Sequence, residues 1–312
     1  LKAMKLTIII PCYNEEEVLP WTLGKLAVLI ERLKKEASTD ACLLLVDDGS
    51  KDRTWELITE AAKAHGYISG IKLSHNEGHQ NALWAGMQES VATCDAVVSI
   101  DADLQDDETA IIDMARQVNE GKDIVYGVRK KRTTDTWFKR FTAQAFYKLM
   151  KSMDSEIVYN HADFRMMTRR AVEALMQYPE RNLFLRGIVR QLGFREGYVY
   201  YDRRARTAGE SKYPLKKMLA FSIDGITSFS TAPLKFITFI GLVMTLISFV
   251  MIIFAIVRYA EGETTQGWAS LLVSLWFIGG IITTALGVTG TYIGKIYIEV
   301  KHRPRYFVQE RV

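Results

Sequence analysis

Two stretches near the C-terminus, Phe236 to Val257 and Trp268 to Ile293, contain no charged residue. Each exceeds the roughly 20 residues that a helix needs to cross a bilayer. A segment in lipid has to satisfy its own backbone N–H and C=O groups, so runs of this kind fold as helices. The linker between them, Arg258 to Gly267, is short, and the pair is expected to form a transmembrane hairpin. Lys212, Lys216, Lys217 and Lys235 precede the first run, and Lys295, Lys301, Arg303 and Arg305 follow the second. The linker carries Arg258 against Glu261 and Glu263. Positive charge stays on the cytoplasmic side, so both termini are expected there, on a multi-pass protein of the plasma (inner) membrane. The other arrangement is a helical hairpin buried in a soluble core.

The first part of the chain follows a different rule. Short apolar runs at Leu6–Cys12, Cys42–Val46, Ile68–Leu73, Ala96–Ile100 and Asp123–Tyr126 read as strands. Helical patterns at Glu16–Glu36, Asp52–Ala64, His79–Ser90 and Asp107–Glu120 alternate with them. Such β-α repetition predicts an α/β domain with a mainly parallel, Rossmann-like sheet covered on both faces. The continuous run Leu43-Leu44-Leu45-Val46 suits a strand buried on both sides. The apolar run Leu6–Ile10 is too short for a signal peptide and reads as the first strand. Cys12, Cys42 and Cys94 have no metal-ligand spacing, and each lies in or beside a predicted strand. They are expected to be buried thiols in a reducing compartment. A formal net charge of +4 is too small an excess to argue for nucleic acid.

Polar joints follow the strands: Pro11-Cys12-Tyr13-Asn14-Glu15-Glu16, Asp47-Asp48-Gly49-Ser50, Asn76-Glu77-Gly78-His79 and Asp101-Ala102-Asp103-Leu104-Gln105. In an open α/β sheet they share the C-terminal edge, where ligands bind. Asp101 and Asp103, spaced i, i+2 at a strand end, suit a hard divalent cation that also grips substrate phosphates. They also suit a plain acidic helix start, since Asp107 and Glu108 would complement a helix dipole. Asp48-Gly49-Ser50-Lys51-Asp52 reads as a tight turn with Ser50 or Asp52 as an N-cap. The adjacent carboxylates Asp47 and Asp48 go beyond what a turn requires, and one of them could accept an N–H from a nucleobase. His79 is equally a solvated helix-start residue or a ligand contact. The segment Trp137–Met153, aromatic, basic and free of acids, is expected to be a helix lying in the headgroup layer or packed on the domain. Asp224–Pro233 is expected to lead an interfacial helix into the first span.

These joints, in this order, resemble family 2 glycosyltransferases with the GT-A fold. The resemblance is closest to membrane-anchored polyprenyl-phosphate sugar transferases of the GtrB, dolichol-phosphate mannosyltransferase and bactoprenol glucosyltransferase type. It extends over Ala162-Asp163-Phe164-Arg165, over Arg206-Thr207-Ala208-Gly209-Glu210-Ser211-Lys212-Tyr213 and over the two C-terminal runs. The resemblance implies a catalytic domain over 1–211, an interfacial helix or linker over 212–233, two spans within 234–294 and a cytoplasmic basic tail over 295–312. It implies that Pro11, Tyr13, Glu15 and Asp48 line a uridine pocket. Asp101 would lie near sugar and ribose, and Asp103 and Gln105 would hold Mg²⁺ or Mn²⁺ on the diphosphate. Arg129 would meet a phosphate, Asp163 matches the family's proposed base, and Arg206, Ser211 and Lys212 would hold the acceptor phosphate or donor diphosphate. Two residues depart from many relatives: His79 stands for Lys, and Ala162 for Gly.

The implied reaction moves a sugar from a UDP-sugar to a polyprenyl phosphate such as undecaprenyl phosphate, with inversion at the anomeric carbon. UDP-glucose and UDP-N-acetylglucosamine are the leading donors, and the product would serve cell-surface glycan modification, as in cell wall or lipopolysaccharide. A phosphate monoester has its second pKa at about 6, so the acceptor is largely a dianion at neutral pH and needs no strong general base. Relatives suggest a homotetramer, and Gly279, Gly280, Gly287, Gly290 and Gly294 would permit close helix packing. A processive polysaccharide synthase is disfavoured, because the chain has no Gln-x-x-Arg-Trp motif. A non-catalytic scaffold or nucleotide-sensing subunit is disfavoured by the intact acidic joints.

Overall fold

The computed structural model describes residues 3–130, 161–181, 185–202, 232–260 and 267–312. The chain divides into two units, Leu1–Leu215 with Arg303–Val312, and Lys216–His302. The expectations at Trp137–Met153, Arg206, Ser211, Lys212 and 224–231 lie outside the described residues.

The first unit begins with the predicted alternation: β1 (Met4–Cys12), α1 (Leu19–Glu36), β2 (Thr39–Asp47), α2 (Thr54–Ala64), β3 (Ile68–Leu73), α3 (His79–Ser90), β4 (Ala96–Ser99), α4 (Ala110–Asn119) and β5 (Ile124–Arg129). Then come β6 (His161–Thr168), α5 (Arg169–Met176), α6 (Leu185–Gln191) and β7 (Glu196–Tyr201). After the second unit, β8 (Val308–Arg311) returns to the sheet. The strand order is β7-β5-β6-β4-β1-β2-β3-β8. β1, β2, β3 and β4 run parallel, as does β5 with β7. β6 lies antiparallel between β4 and β5, and β8 is antiparallel to β3.

The core forms where the apolar pattern requires it. Leu43, Leu44, Leu45 and Val46 of β2 are all buried, as a central strand covered on both faces demands. α1 buries Leu19, Leu26, Leu29 and Leu33 along one stripe and keeps Lys34 and Lys35 in its last turn, where they complement the dipole. At about 2 kcal/mol per buried Leu, that stripe rather than helix propensity holds α1 in place. α3 is buried through Ala82–Met87 and lies close on β1, since a Cβ at Gly86 would collide with Ile9.

Three expectations change. α1 begins at Leu19 rather than Glu16, because residues 14–16 bond to the segment between β2 and α2 and to the first residue of α2. Cys42 is exposed while Cys12 and Cys94 are buried, because its strand position alternates outward at that end of β2. The segment 295–312 is not a simple tail: helix continues to Val300 and the chain ends in β8.

The second unit contains α7 (Ala232–Ala260) and α8 (Trp268–Val300), which cover the two uncharged runs. Phe277–Val300 is a stretch long and apolar enough to cross a membrane, and none of it is buried within the protein. Its threonine hydroxyls are satisfied locally. Thr283, Thr284, Thr289 and Thr291 donate their hydroxyls to carbonyls one turn back, at 2.8, 2.8, 2.9 and 3.0 Å. Thr238 does the same in α7, at 2.9 Å to Leu234.

Candidate functional site

The joints after β1, β2, β3 and β4 meet at one edge because the parallel register aligns the strand ends. Cys12 pairs with Asp47, Asp47 with Lys72, and Ile9 with Ser99. β6 completes the edge from the opposite direction. Ser99 faces Arg165, so Asp101, two residues after Ser99, and Asp163, two residues before Arg165, come to the same level. The Ser99 hydroxyl donates to the Asp163 carbonyl and fixes that register.

One half of this edge is laced shut. The Asn14 N–H donates to Ser50 Oγ at 2.9 Å, and the Lys51 N–H returns to Asn14 Oδ1 at 2.9 Å. The Glu15 N–H donates to Thr54 Oγ1 at 2.9 Å, the Glu16 N–H to Asp52 Oδ2 at 3.2 Å, and the Arg53 N–H to Glu16 Oε2 at 3.0 Å. Asp52 also accepts the Thr54 N–H at 3.1 Å, but the N-cap of α2 is Arg53, so neither Asp52 nor Ser50 takes the expected N-cap position, and Ser50 holds the neighbouring loop instead. Asp48, 3% exposed, accepts the N–H groups of Glu77 and Gly78 at 2.8 and 2.9 Å, one on each oxygen. Burial pushes the carboxyls of Asp47 and Asp48 up, and the backbone donors oppose it. Gly49, at φ +68°, permits this closure, because a Cβ there would lie 2.6 Å from the His75 carbonyl carbon. Pro11 pairs with Val46 one residue before the end of β1, and Tyr13, just past that end, is exposed.

The other half is acidic and opens to solvent at Asp101, while Gln105, Asp106 and Glu108 are buried. Asp101 to Leu104 forms a turn closed by the Leu104 N–H on the Asp101 carbonyl at 3.1 Å. Leu104 takes φ +42° there. The left-handed conformation costs about 1–2 kcal/mol, and burying the Leu104 side chain offsets a similar amount. The Gln105 N–H then reaches Asp103 Oδ1 at 3.3 Å. Half of the Asp101 side-chain surface remains open to solvent. The surrounding walls push its carboxyl up, His79 draws it down, and Asp106, Asp163 and Asp103 push it up further. His79 Nε2, at the start of α3, stands between the two acids, 3.7 Å from Asp101 Oδ1 and 3.8 Å from Asp163 Oδ2.

Arginines that the sequence reading did not assign complete the site. Arg186 of α6 grips Asp163 with two nitrogens, at 3.2 and 3.0 Å. Arg165 is wholly buried, with Nη2 3.7 Å from Asp163 Oδ1 and no hydrogen-bond partner for its side-chain nitrogens among the described residues. Burial pushes the Asp163 carboxyl up, but Arg186, Arg165 and His79 outweigh it and hold it well below the usual carboxylate range. A carboxylate held so low, with its oxygens on Arg186, is a weak proton acceptor, which disfavours Asp163 as a general base. Arg129 ends β5 and binds Asp106 through Nε at 3.1 Å and Nη2 at 3.0 Å, bracing the acidic turn from behind. The i, i+2 spacing of Asp163 and Arg165 on one strand face was a visible signal. Nothing local marked Arg186.

A divalent cation fits the open half by the chemistry of its donors. They are hard carboxylate and amide oxygens, and the carboxyls crowd one another as negative groups do when a cation would relieve them. Among the described residues no three His, Cys, Asp or Glu side chains close on one point. Few protein ligands leave positions for phosphate oxygens and water, which is how Mg²⁺ is bound at nucleotide sites.

The model of glycosyl transferase family 2 matches residues 7–176. The uncharacterized glycosyltransferase YkoT of Bacillus subtilis (strain 168) is 50% identical over 305 residues, 97% of this chain and 90% of that protein. The bactoprenol glucosyl transferase of Shigella phage SfX is 40% identical over 313 residues, 99% of this chain and 100% of that protein. The prophage bactoprenol glucosyl transferase homolog of Escherichia coli (strain K12) is 39% identical over 311 residues, 98% of this chain and 99% of that protein.

Proposed function

The chain belongs to glycosyl transferase family 2, and from that premise we propose that it transfers glucose from UDP-glucose to a polyprenyl phosphate at the cytoplasmic face of a membrane. The observation that carries this reading is the extent of the likeness to the phage SfX bactoprenol glucosyl transferase, 99% of this chain, apolar helices included. A lipid acceptor accounts for long apolar helices in the same chain as a nucleotide-type edge. α7 and α8 then form a membrane hairpin with both termini cytoplasmic, in accord with the flanking Lys and Arg. The glucosyl group that the phage relative's name carries supports UDP-glucose over UDP-N-acetylglucosamine as the donor.

In this reading the laced half of the edge, with Pro11, Tyr13, Glu15 and Asp48, receives the uridine, and Asp101 faces the sugar. Asp103 and Gln105 would hold Mg²⁺ or Mn²⁺, which neutralises the diphosphate as it leaves. The acceptor phosphate is already ionised, so the protein's task is to orient it and offset charge repulsion. Arg206, Ser211 and Lys212 are assigned to that clamp. Asp163, kept ionised by Arg186 and Arg165, stabilises positive charge that develops on the sugar ring. Arg129 acts through Asp106, and it would meet a donor phosphate by dividing its N–H donors between the two anions. Attack opposite the leaving diphosphate inverts the anomeric carbon.

The test is a donor screen on the purified full chain with polyprenyl phosphate and Mg²⁺ or Mn²⁺. Labelled sugar extracted with lipid from UDP-glucose, well above that from UDP-N-acetylglucosamine, is expected. Lipid-linked N-acetylglucosamine as the main product overturns the choice of sugar, and no lipid-linked product overturns the reaction.

A further inference from the structure

The C-terminal segment beyond α8 does more than extend the sheet. β8 pairs with β3, and Gly70 and Val312 exchange two backbone hydrogen bonds at 2.9 Å each. Glu310 accepts Trp55 Nε1–H at 3.0 Å, and Arg311 pairs with Glu89 at 3.0 Å. These contacts anchor the strand. Arg305, ahead of it, reaches inward. Its guanidinium stacks over Trp84 of α3, 3.9 Å from the ring centroid. Its Nη2 donates to the carbonyls of Tyr178 and Glu180 at 2.9 and 2.6 Å. The Arg181 Nη2 donates back to the Pro304 carbonyl at 2.5 Å.

Both targets lead into the site. α3 begins at His79, which stands between Asp101 and Asp163. The 178–181 segment precedes α6, which carries Arg186. A direct bond already ties these two elements at the site end, since Gln80 Oε1 accepts the Leu185 N–H at 2.9 Å. Arg305 adds a second tie, between the middle of α3 at Trp84 and the 178–181 segment ahead of α6.

We propose that Arg305 is a positioning residue for the transfer reaction, acting through α3 and the 178–181 segment to hold His79 and Arg186 in register on Asp163. This inference rests on the proposed transferase function for its kinetic consequence, while its structural consequence is independent of the reaction. A planar guanidinium is required, because one group both stacks on an indole and bonds two carbonyls. A Lys ammonium bonds carbonyls but does not stack as a plane.

The experiment compares the full chain with Arg305→Ala, Arg305→Lys and Arg311→Ala, by steady-state kinetics with UDP-glucose and polyprenyl phosphate and by hydrogen exchange at Leu185–Gln191. Small displacements of reacting groups cost large factors in rate, so Arg305→Ala is expected to lower kcat at least about tenfold with donor KM within about twofold. Exchange at Leu185–Gln191 is expected to accelerate about tenfold or more, as for a segment that has lost a tertiary tie. Arg305→Lys recovers less than about half of the lost rate, and Arg311→Ala, which breaks only an exposed pair, matches the wild type within about twofold. If Arg305→Ala does not fold, Arg181→Ala removes the reciprocal bond from an exposed position, and faster exchange in the same helix is expected. Wild-type kcat and exchange in the Arg305 variants overturn the inference. So does an equal loss in Arg311→Ala, which would make the strand as a whole responsible. A wild-type chain that makes no glucosyl lipid overturns the transferase reading alone, and the exchange data still decide whether Arg305 holds α6.

Discussion

Asp48 and Asp101 occupy equivalent places, each at the C-terminal end of a parallel strand on the same sheet edge, yet their surroundings give them opposite work. Asp48 is 3% exposed and commits one oxygen each to the Glu77 and Gly78 N–H groups. Asp101 keeps half of its surface open, and its near neighbours are His79 at 3.7 Å and other carboxylates. The first is a brace that shapes a loop before any ligand arrives. The second is an unspent charge. A strand-end carboxylate therefore does not identify a reacting group. What identifies it is whether backbone donors have already consumed its lone pairs.

The sharpest break of this comparison is on the acidic side. Asp103→Ala is expected to lower glucosyl transfer by at least about a hundredfold in protein that is still folded and membrane-bound. Near-normal turnover by that variant with added Mg²⁺ or Mn²⁺ would remove Asp103 from the metal site. Thermal unfolding then separates the two halves. Asp48→Asn leaves a poorer acceptor for the two partly buried N–H groups of Glu77 and Gly78 and is expected to cost about 1–3 kcal/mol, a fall of several degrees in Tm. Asp101→Asn removes one of several crowded carboxylates and is expected to leave Tm unchanged or slightly raised.

A third prediction concerns pH. The folded-state pKa of Asp163 is depressed, so its stabilisation is fully present above the unfolded value of about 3.9 and is lost only as pH falls below that toward the folded value. No titration of Asp163 is expected between pH 5 and 8. An acid limb in kcat/KM near pH 6 is expected instead from the acceptor phosphate. Asp163→Asn should lower the rate across the whole range and keep that limb. Its disappearance in the variant would restore Asp163 as the base. The smallest effect belongs to the laced half: Ser50→Ala removes the acceptor of the Asn14 N–H and is expected to cost about 1 kcal/mol, read as a shift of about 2–4 °C in Tm with kcat unchanged.

Much of the fold was legible because burial on both faces leaves a plain mark. Leu43 to Val46 and Ile8 to Ile10 can hardly be anything other than central strands, and the helices between them carry clear apolar stripes. β8 was not legible, since Val308-Gln309-Glu310-Arg311 has a single apolar residue and is a strand only because β3 offers it an edge. β6 was recognised as a motif but not as a strand, because its place between β4 and β5 depends on pairing across a long stretch of sequence. At the site, the acidic joints were readable from residue type and position. The division of labour between Asp48 and Asp101 was not, because it depends on which loop N–H groups fold back onto which carboxylate. Arg186 was invisible for the same reason: it meets Asp163 through the packing of α6 on β6.

The most direct measurement is steady-state transfer of labelled glucose from UDP-glucose to polyprenyl phosphate by wild type, Asp48→Asn and Asp101→Asn, at a temperature where all three are folded. A brace and a reacting-site charge predict different splits. Asp48→Asn should raise donor KM with kcat within about tenfold, and Asp101→Asn should lower kcat by about a hundredfold or more. Equal losses of kcat in the two variants, or a larger loss in Asp48→Asn, would contradict the assignment of the two halves.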